Sequence, residues 1–514
     1  MSKTIIIIGA GLAGLSAALQ AAENGCNVKL VSSLPSERAQ SVMAEGGINA
    51  ALNTKDENDS PEEHFTDTIK AACGLADPNA VWGMTQAAPE LVHWLLKLGV
   101  KFNMSGYDDV DLRNFGGQKK KRTAFAQSDT GKQIMTAMID AVRRKEASGM
   151  VERFSHHSFL TLRLCGNICC GCVIRDEYSQ ETVELPGDAV IVATGGMHGL
   201  FGNTTGSLSN TGEVTAELFR LGVPLANGEM IQYHPTTVKC GGKRMLISEA
   251  ARGEGGRLFA MKDGKQWYFM EEKYPELGNL MPRDITAREI WKVSHESEVF
   301  LDMTEISEEI ISNKLSGLAD DCMTYLHKDI RKEPVSVLPG IHYFMGGILV
   351  DEQHRTPIQN LCAAGECCAQ YHGANRLGGN SLLGALYGGR VAAKSACEQA
   401  DVVDLSCATQ IDFPPASQIS EIKQLNKVMQ ETMGVVRNEN TLLNGIQTVQ
   451  ALTGNLPLLG MAVLKSALAR KESRGAHWRG DYPKSNDDDY LKTTVARFDG
   501  KQIQISFVPV PERR

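Results

Sequence analysis

The stretch TIIIIGAGLAGLSAALQAAENG (residues 4–25) places four isoleucines directly before the pattern Gly9-x-Gly11-x-x-Gly14 and an alanine-rich segment. The apolar run predicts a buried strand, and the alanine-rich segment predicts the helix that follows it. In such a strand–turn–helix unit the first glycine permits a tight turn, the second lets the backbone approach a pyrophosphate, and the third allows close packing. The start of the helix then offers free N–H groups to phosphates. These residues predict a dinucleotide-binding domain of the α/β class, with a structural turn that binds no nucleotide as the alternative.

The composition limits the class of protein. With 514 residues the chain is too long for one compact core, so two or three domains are expected. Its net charge of -8 argues against a nucleic-acid surface, which would be basic. Thirteen cysteines scattered along a chain of this size indicate reduced thiols in a reducing compartment. The glycine spacing near the start argues against a signal peptide, so we expect a cytoplasmic protein without direct membrane insertion.

Further glycine turns indicate a long cofactor. SVMAEGGI (41–48) is one such turn, Thr194-Gly195-Gly196 follows a predicted strand, and NLCAAGE (360–366) predicts a strand that ends at an acidic residue. A carboxylate there could accept hydrogen bonds from ribose hydroxyls. The second strand ends in Ser32-Ser33, where NAD-binding proteins usually carry an acidic residue. Turns so widely separated suit an extended FAD better than NAD or a mononucleotide.

Two other glycine-rich segments carry a histidine and an arginine. They read IHYFMGGI (341–348) and GANRLGGNSLLGAL (373–386). The two side chains are expected to be cationic groups for a small anion, and an arginine in particular can bind a carboxylate with two parallel hydrogen bonds. Together with the cofactor turns, they predict a redox enzyme that acts on a carboxylate.

Eight motifs occur in a characteristic order: AEGGINAAL (44–52), FGGQKKKRTAFAQSDTG (115–131), QYHPT (232–236), LISEAARGEGG (246–256), MPRDITARE (281–289), PGIHYFMGGI (339–348), AAGECCAQYHGANRLGGNSLLGALYGG (363–389) and ESRGAHWRGDYP (472–483). With them the chain resembles, over essentially its whole length, the flavoprotein subunit of the fumarate reductase/succinate dehydrogenase family. That family also includes L-aspartate oxidase, and the chain is most similar to the fumarate reductase subunit.

The resemblance implies a domain organisation. We expect an α/β fold with a Rossmann-like FAD-binding domain, an inserted α+β capping domain and a C-terminal helical domain. The predicted bounds are 1–231 with 345–400 for the FAD-binding domain, 232–344 for the capping domain, 415–480 for the helical domain and 481–514 for a C-terminal tail at the surface.

The resemblance also implies the substrate site. A fumarate-like dicarboxylate would lie between the flavin and capping domains, with His234 and Ser248 on one carboxylate and His342 with Arg376 on the other. Two separated sets of donors would stretch a dianion across the flavin face. A carboxylate twisted out of conjugation would leave positive character on the carbon that receives hydride from flavin N5.

The family's proton donor corresponds to Arg283, resupplied through Glu249 and Arg252. A guanidinium hardly deprotonates in water, so this assignment requires a carboxylate that replaces the proton at once. The spacing of Glu249 and Arg252 equally allows a structural ion pair on one helix turn, and this alternative stays open. The predicted reaction is FAD-dependent reduction of fumarate to succinate, reversible in principle but biased to reduction.

The glycine turns and the resemblance together predict the cofactor-binding residues, which are Gly9, Ala10, Gly11, Ala13, Gly14, Ser32, Ala44, Glu45, Gly46, Gly47, Thr194, Gly195, Gly196, Glu213, Glu366, Ser381, Leu382 and Leu383. Relatives that attach FAD covalently use a histidine five positions before the glutamate of AEGG. Here that position is Gln40, so non-covalent FAD is expected. In the family the covalent bond raises the flavin potential and supports succinate oxidation, so its absence favours fumarate reduction.

Departures from the family pattern leave alternatives open. Asp129 stands where the family has a basic residue, and Glu213 where an aspartate is more usual. L-aspartate oxidase and a reductase of another enoate carboxylate remain alternatives. The Gly-Gly of RLGGNSL, the FGGQ segment and the strand-like QIQISFVPV (502–510) favour fumarate reductase. A flavoprotein without turnover would have lost the histidines and arginines of the pocket, which are present.

The remaining features receive structural interpretations. Cys165, Cys169, Cys170 and Cys172 lie in a predicted hairpin around Gly166-Asn167, and we expect no metal site there. Lys119 to Arg122 are predicted to form a solvated loop, Met135 and Met138 are predicted to be core residues, and a helix is predicted after Pro414-Pro415. The sequence contains no module that brings electrons to FAD. An iron–sulphur electron-transfer subunit or a soluble reductant is therefore expected, with membrane association only through partner subunits.

Overall fold

The computed structural model describes residues 2–106, 109–399, 413 and 418–514. The described strands are β1 (Thr4–Ile8), β2 (Asn27–Ser32), β3 (Ile48–Asn49), β4 (Leu112–Arg113), β5 (Thr123–Ala124), β6 (Val151–Ser155), β7 (His157–Cys165), β8 (Ile168–Asp176), β9 (Thr182–Pro186), β10 (Ala189–Val192), β11 (Leu225–Ala226), β12 (Ile231–Cys240), β13 (Lys243–Leu246), β14 (Arg257–Lys262), β15 (Lys265–Trp267), β16 (Val299–Asp302), β17 (Val335–Ser336), β18 (Leu338–Phe344), β19 (Gly347–Leu349), β20 (Leu361–Ala363), β21 (Cys368–Ala369), β22 (Lys492–Phe498) and β23 (Ile503–Pro509).

The described α-helices are α1 (Leu12–Glu23), α2 (Pro61–Ala71), α3 (Pro78–Leu98), α4 (Thr130–Ala147), α5 (Glu213–Arg220), α6 (Glu249–Gly253), α7 (Phe269–Lys273), α8 (Arg283–Val293), α9 (Glu308–Lys314), α10 (Ser316–Asp321), α11 (Asn380–Gln399), α12 (Ile419–Thr432), α13 (Glu439–Val449), α14 (Asn455–Ala469) and α15 (Asp487–Tyr490). Helix α12 confirms the predicted C-terminal helix, whereas the predicted boundary at Pro414-Pro415 lies outside the described residues. Within the described part of the chain, no helix combines the length and the apolar character needed to span a bilayer.

The predicted Rossmann-like unit is confirmed as a five-stranded parallel sheet in the order β20-β10-β1-β2-β6. Ile5 and Ile7 face a core formed with helices α1, α3, α4 and α11, whereas Ile6 and Ile8 face a second core beneath the antiparallel sheet β7-β8-β9. This alternation is the two-residue period of a strand, and it explains why all four isoleucines are apolar.

At the turn after β1 the backbone leaves no room for a side chain on two of the glycines. A Cβ atom on Gly14 would lie 1.8 Å from the carbonyl oxygen of Gly9, and one on Gly9 would lie 2.3 Å from that of Ala193. Gly9 also has a φ of 109°, which side chains with a Cβ rarely adopt. The turn therefore lies tightly between β1 and β10, at the carboxyl end of the parallel sheet.

The capping segment, residues 232–344, forms the sheets β13-β12-β18 and β15-β14-β16-β17 with helices α6 to α10 between their strands. It has a hydrophobic core of its own that includes Leu258, Ile290 and Leu301, each fully buried. Strands β12 and β18 pair with each other at the start and end of this segment, so residues from both ends of the insertion meet at one place.

The C-terminal region packs against, and pairs with, earlier parts of the chain to a greater extent than predicted. Helices α12 to α14 pack on residues around Phe201 and Phe219. Strand β22 pairs with β11 inside the sheet β21-β19-β11-β22-β23, and Val495 and Ala496 are each 1% exposed. The prediction that residues after 481 form a surface tail was therefore wrong for β22, because its pairing partner lies far away in sequence and leaves no local signal.

Of three predictions about local features, two are confirmed and one was wrong. Met135 and Met138 lie in the core, and β7 and β8 form the predicted cysteine-containing hairpin. Arg122, predicted to be solvated, is instead fully buried between Asp59 and Asp67 at 2.8 and 3.0 Å. The two carboxylates compensate its charge, so a basic run in the sequence contains a structural ion pair. In the described residues, no group of His, Cys, Asp and Glu has the arrangement of a metal site.

Candidate active site

A cavity of about 520 Å³ extends from the carboxyl ends of β1, β2 and β10 to the capping segment. Of the predicted cofactor-binding residues, Gly14, Gly196 and Leu383 do not line it: Gly14 packs against Gly9, a Cβ on Gly196 would meet Glu366, and Leu383 belongs to the core. The predicted cofactor residues that line the cavity are Gly9, Ala10, Gly11, Ala13, Ser32, Ala44, Glu45, Gly46, Gly47, Thr194, Gly195, Glu213, Glu366, Ser381 and Leu382.

The cavity fits a long phosphate-containing cofactor. Helix α1 starts after Gly11 without a side-chain cap, so its first N–H groups are available to a phosphate. At the end of β2, the buried Ser32 hydroxyl has no hydrogen-bond partner in the described chain, and one buried carboxylate oxygen of Glu45 has none either. Polar groups left free along an elongated cavity are what a ribose–pyrophosphate–flavin molecule would satisfy.

Glu249 lies between two arginines. Its Oε2 accepts hydrogen bonds from Nε and Nη2 of Arg283 at 2.8 and 2.5 Å, and its Oε1 lies 3.3 Å from Nη2 of Arg252. The Gly116 N–H also donates to Oε1, at 3.1 Å. Glu249 and Arg283 are the first residues of α6 and α8, so the two helix starts bring them together. Arg283 and Glu249 line the cavity, whereas Arg252 lies behind them.

These charges determine the ionisation of the glutamate. Burial raises the pKa of Glu249, but the Arg283 and Arg252 guanidiniums lower it by more, so the net shift is downward. The group is therefore a carboxylate at neutral pH. The geometry is compatible with both readings of the sequence, because a structural ion pair and a proton relay require the same contacts.

His234 and His342 lie on the paired strands β12 and β18, with ring centroids 5.1 Å apart. Nδ1 of His342 is 2.8 Å from the Thr205 hydroxyl. Burial, and then the charge of Arg283, holds the pKa of both histidines well below the usual value. Neither imidazole is charged near pH 7, so the expectation of a cationic His342 was wrong. They can bind an anion as neutral hydrogen-bond donors.

Arg376 and Ser248 complete the predicted substrate set. The Arg376 guanidinium stacks on the Tyr343 ring at 4.3 Å and has a buried Nε with no partner in the described chain. Burial lowers its pKa to about 9, which leaves it charged at pH 7. Ser248 caps helix α6 and lines the cavity beside Glu249. Both side chains thus lie where an anion could reach them.

Sequence reasoning missed two supporting residues. Gln232, fully buried, accepts from Nη1 of Arg283 at 3.1 Å and donates to the Arg376 carbonyl at 2.9 Å. Its position two residues before His234 on a strand could have placed it on the same side. Arg113 donates to the carbonyls of Glu45 and Gly46 at 3.0 and 2.9 Å, and so holds the AEGG loop. No motif predicted that contact.

Gln40, which departs from the family pattern, lines the cavity, and Asp129, a second departure, acts on the cavity residue Glu45. Oε1 of Gln40 accepts a 2.5 Å hydrogen bond from the Ser207 N–H, so Gln40 holds a loop that borders the cavity. Burial, and then Asp321, raises the pKa of Glu45 to about 8, although Arg113 opposes the shift. Asp129 adds to this rise, because its charge has the same sign.

Comparison with known proteins agrees with the motifs. The FAD binding domain family matches residues 4–382, and the fumarate reductase flavoprotein C-terminal family matches residues 452–513. The succinate dehydrogenase flavoprotein subunit of Bacillus subtilis is 38% identical, with 100% of this chain and 98% of that protein covered. The 8-methylmenaquinol:fumarate reductase flavoprotein subunit of Wolinella succinogenes is 32% identical, covering 100% and 92%.

A solved structure of a mutant E. coli quinol fumarate reductase flavoprotein, FrdA, superposes with a TM-score of 0.90 at 27% identity, covering 99% of this chain and 97% of that one. The chain therefore belongs to the succinate dehydrogenase/fumarate reductase flavoprotein family and is an FAD-dependent oxidoreductase.

Proposed function

We propose that the protein reduces fumarate to succinate. The observation that carries this proposal is the line of charges Arg252–Glu249–Arg283, which ends in a cavity that also holds His234 and Arg376. We infer that His234 and Ser248 bind one carboxylate and that His342 and Arg376 bind the other, since all four side chains line the same cavity. A flat dianion with a carboxylate at each end would engage both pairs.

The chain's own residues would bind the dianion and supply a proton. Arg376 would supply the positive charge that pairs with one substrate carboxylate. The neutral histidines would add hydrogen-bond donors without burying a further charge. Arg283 would donate the proton, because its guanidinium borders the cavity and Glu249 holds two of its N–H groups. Glu249 and Arg252 would restore that proton. FAD, when bound, supplies the hydride.

The direction of the reaction follows from Gln40. An amide cannot form the link that a histidine forms with FAD, so we infer non-covalent FAD in this protein. The relatives include both succinate dehydrogenases and fumarate reductases, so they leave the direction open. The bias to fumarate reduction rests on the missing link and on the family relation between that link and a higher flavin potential.

Fumarate is favoured over aspartate by the carboxyl groups at the site. An oxidase would need a free carboxylate for the substrate ammonium. Glu249 already forms ion pairs with two guanidiniums. Burial raises the pKa of Glu45 to about 8, so this group is largely protonated at neutral pH. Phe115, which also lines the cavity beside Glu249, is apolar. These three residues offer little to attract an ammonium group beside Glu249, while Asp321 of the capping segment also lines the cavity and keeps L-aspartate oxidase as the second candidate.

We further propose that electrons reach FAD from an iron–sulphur subunit or a soluble reductant, and that any membrane association occurs through partner subunits. Both relatives are named as flavoprotein subunits, which supports an assembly. We propose the domain bounds given above as the limits of the FAD-binding, capping and helical domains.

The variant Arg283→Ala tests the proposed role of the arginine. Loss of a general acid should lower fumarate reduction with a reduced dye by about 10²–10⁴-fold while FAD stays bound. Arg257→Ala is the matched control, since Arg257 lies on the same segment, is 39% exposed and pairs with Glu271 at the surface. Retained activity in Arg283→Ala, or loss of FAD, would remove Arg283 from the catalytic role.

A further inference from the structure

A chain of hydrogen bonds connects Asp284 to the Arg283 guanidinium through two side-chain amides. Nδ2 of Asn375 donates to Oδ1 of Asp284 at 3.0 Å, and Nε2 of Gln232 donates to Oδ1 of Asn375 at 2.9 Å. Nη1 of Arg283 then donates to Oε1 of Gln232 at 3.1 Å. Gln232 is 0% exposed and Asn375 3%, so bulk water does not replace these bonds.

The two ends of this chain determine the orientation of both amides. Oδ1 of Asp284 accepts the hydrogen bond, so Asn375 turns its NH2 group toward Asp284 and its oxygen toward Gln232. Gln232 must then turn its own oxygen toward Arg283, which only donates. Burial raises the pKa of Asp284, and the nearby Arg288 guanidinium opposes that rise.

Loss of this order would disturb the site. A reversed Gln232 amide would present NH2 to the N–H groups of Arg283 and leave a buried donor without an acceptor. The same amide also donates to the Arg376 carbonyl at 2.9 Å. Asp284 directly follows Arg283 at the start of α8, and Asn375 directly precedes Arg376, so the chain connects the capping segment to the loop before α11.

We propose that Asp284 and Asn375 are positioning residues, which orient the Gln232 amide and thereby fix Arg283 relative to Arg376. The inference rests on the proposed function, since Arg283 is taken as the proton donor. Neither residue borders the cavity. Their effect is therefore transmitted through Gln232 rather than by contact with substrate.

The test is Asp284→Ala in the holoprotein with fumarate and a reduced dye. We expect kcat to fall about 10²-fold, because a misplacement of about 1 Å has that cost. KM should change by no more than about threefold on this reasoning, because Arg376 keeps its stacking on Tyr343. Asp284→Asn supplies an acceptor oxygen without the charge and should restore most of kcat. An equal loss in both variants would overturn the proposal, since charge rather than orientation would then matter.

Controls separate this role from a general effect on the segment. Glu308→Ala removes an exposed carboxylate from the first turn of α9 and should leave kcat unchanged. If Arg288→Ala reproduces the loss of kcat, Asp284 acts through its charge partner and the proposal fails. If Asp284→Ala does not fold, Asn375→Ala tests the same chain and should lose kcat to the same extent, and an Asn375→Ala variant with unchanged kcat would overturn the proposal.

A readout without turnover completes the test. In urea unfolding, the stability losses of Asp284→Ala and Asn375→Ala should not add, because each single change already breaks the same chain. Strict additivity would contradict the proposal. The wild type distinguishes the two failures: no fumarate reduction by wild type would contradict the proposed function, whereas an active wild type with an equally active Asp284→Ala would contradict only this inference.

Discussion

Glu249→Gln is the perturbation that separates the proton relay from a structural ion pair. The side chain keeps its size but loses its charge, and the two flanking guanidiniums lose the counterion they share. The carboxylate accepts two hydrogen bonds from Arg283 and one from the Gly116 N–H. The glutamine amide has one acceptor oxygen, and its NH2 group would face the N–H groups of these neighbours. Breaking a buried pair in this way costs about 3–5 kcal/mol.

The two readings differ in what they predict for turnover. If Glu249 resupplies the proton of Arg283, kcat for fumarate should fall by about 10³-fold, within the range of general acid–base catalysis. Dicarboxylate binding should be unchanged or tighter, because the site becomes more positive. A structural ion pair predicts lower stability with little change in the kcat of the folded enzyme.

The assay measures kcat, KM and the dissociation constant of a non-reacting dicarboxylate such as malonate for the FAD-loaded variant. Glu254→Gln is the matched control, because Glu254 closes the same short helix and pairs with Lys314 instead of the cavity arginines. The relay would be refuted by a variant that folds and binds FAD but whose kcat falls by less than about tenfold. It would also be refuted by a variant in which only KM rises.

Three further predictions concern stability, protonation and the cofactor. Arg122→Ala leaves Asp59 and Asp67 buried without their partner and should lower the free energy of unfolding by about 3–5 kcal/mol in urea, whereas the exposed Arg143→Ala should change it by less than about 1 kcal/mol. Malonate binding near pH 7 should take up no protons at His234 and His342, because burial and the charge of Arg283 hold both pKa values well below the usual value and the two imidazoles bind as neutral donors; calorimetry in two buffers that shows proton uptake would contradict this. Acid precipitation should release all the FAD into the supernatant, and flavin that stays on the polypeptide would contradict a non-covalent cofactor.

Much of the fold and of the site was predictable because the determinants are local in sequence. The turn after β1 needs glycine at Gly9 and Gly14 for steric reasons, and those reasons are visible as a pattern. Likewise the substrate and relay residues lie inside motifs, and all of them except Arg252, which lies behind Glu249, line one cavity.

The errors arose where a partner lies far away along the chain. Arg122 looked solvated because its two aspartates are more than 50 residues earlier, and β22 looked peripheral because β11 is remote in sequence. The charge of His342 was misjudged for a different reason. Burial decides its pKa, and burial depends on how the chain packs around the side chain rather than on residue type.

The most direct test of the central claim follows the flavin absorbance of the holoprotein under anaerobic conditions. The enzyme is first reduced with dithionite, and fumarate is then added; in a separate sample aspartate is added to the oxidised enzyme. We expect rapid reoxidation by fumarate and no bleaching by aspartate. Reduced flavin that stays reduced in the presence of fumarate, or oxidised flavin that is bleached by aspartate, would contradict it.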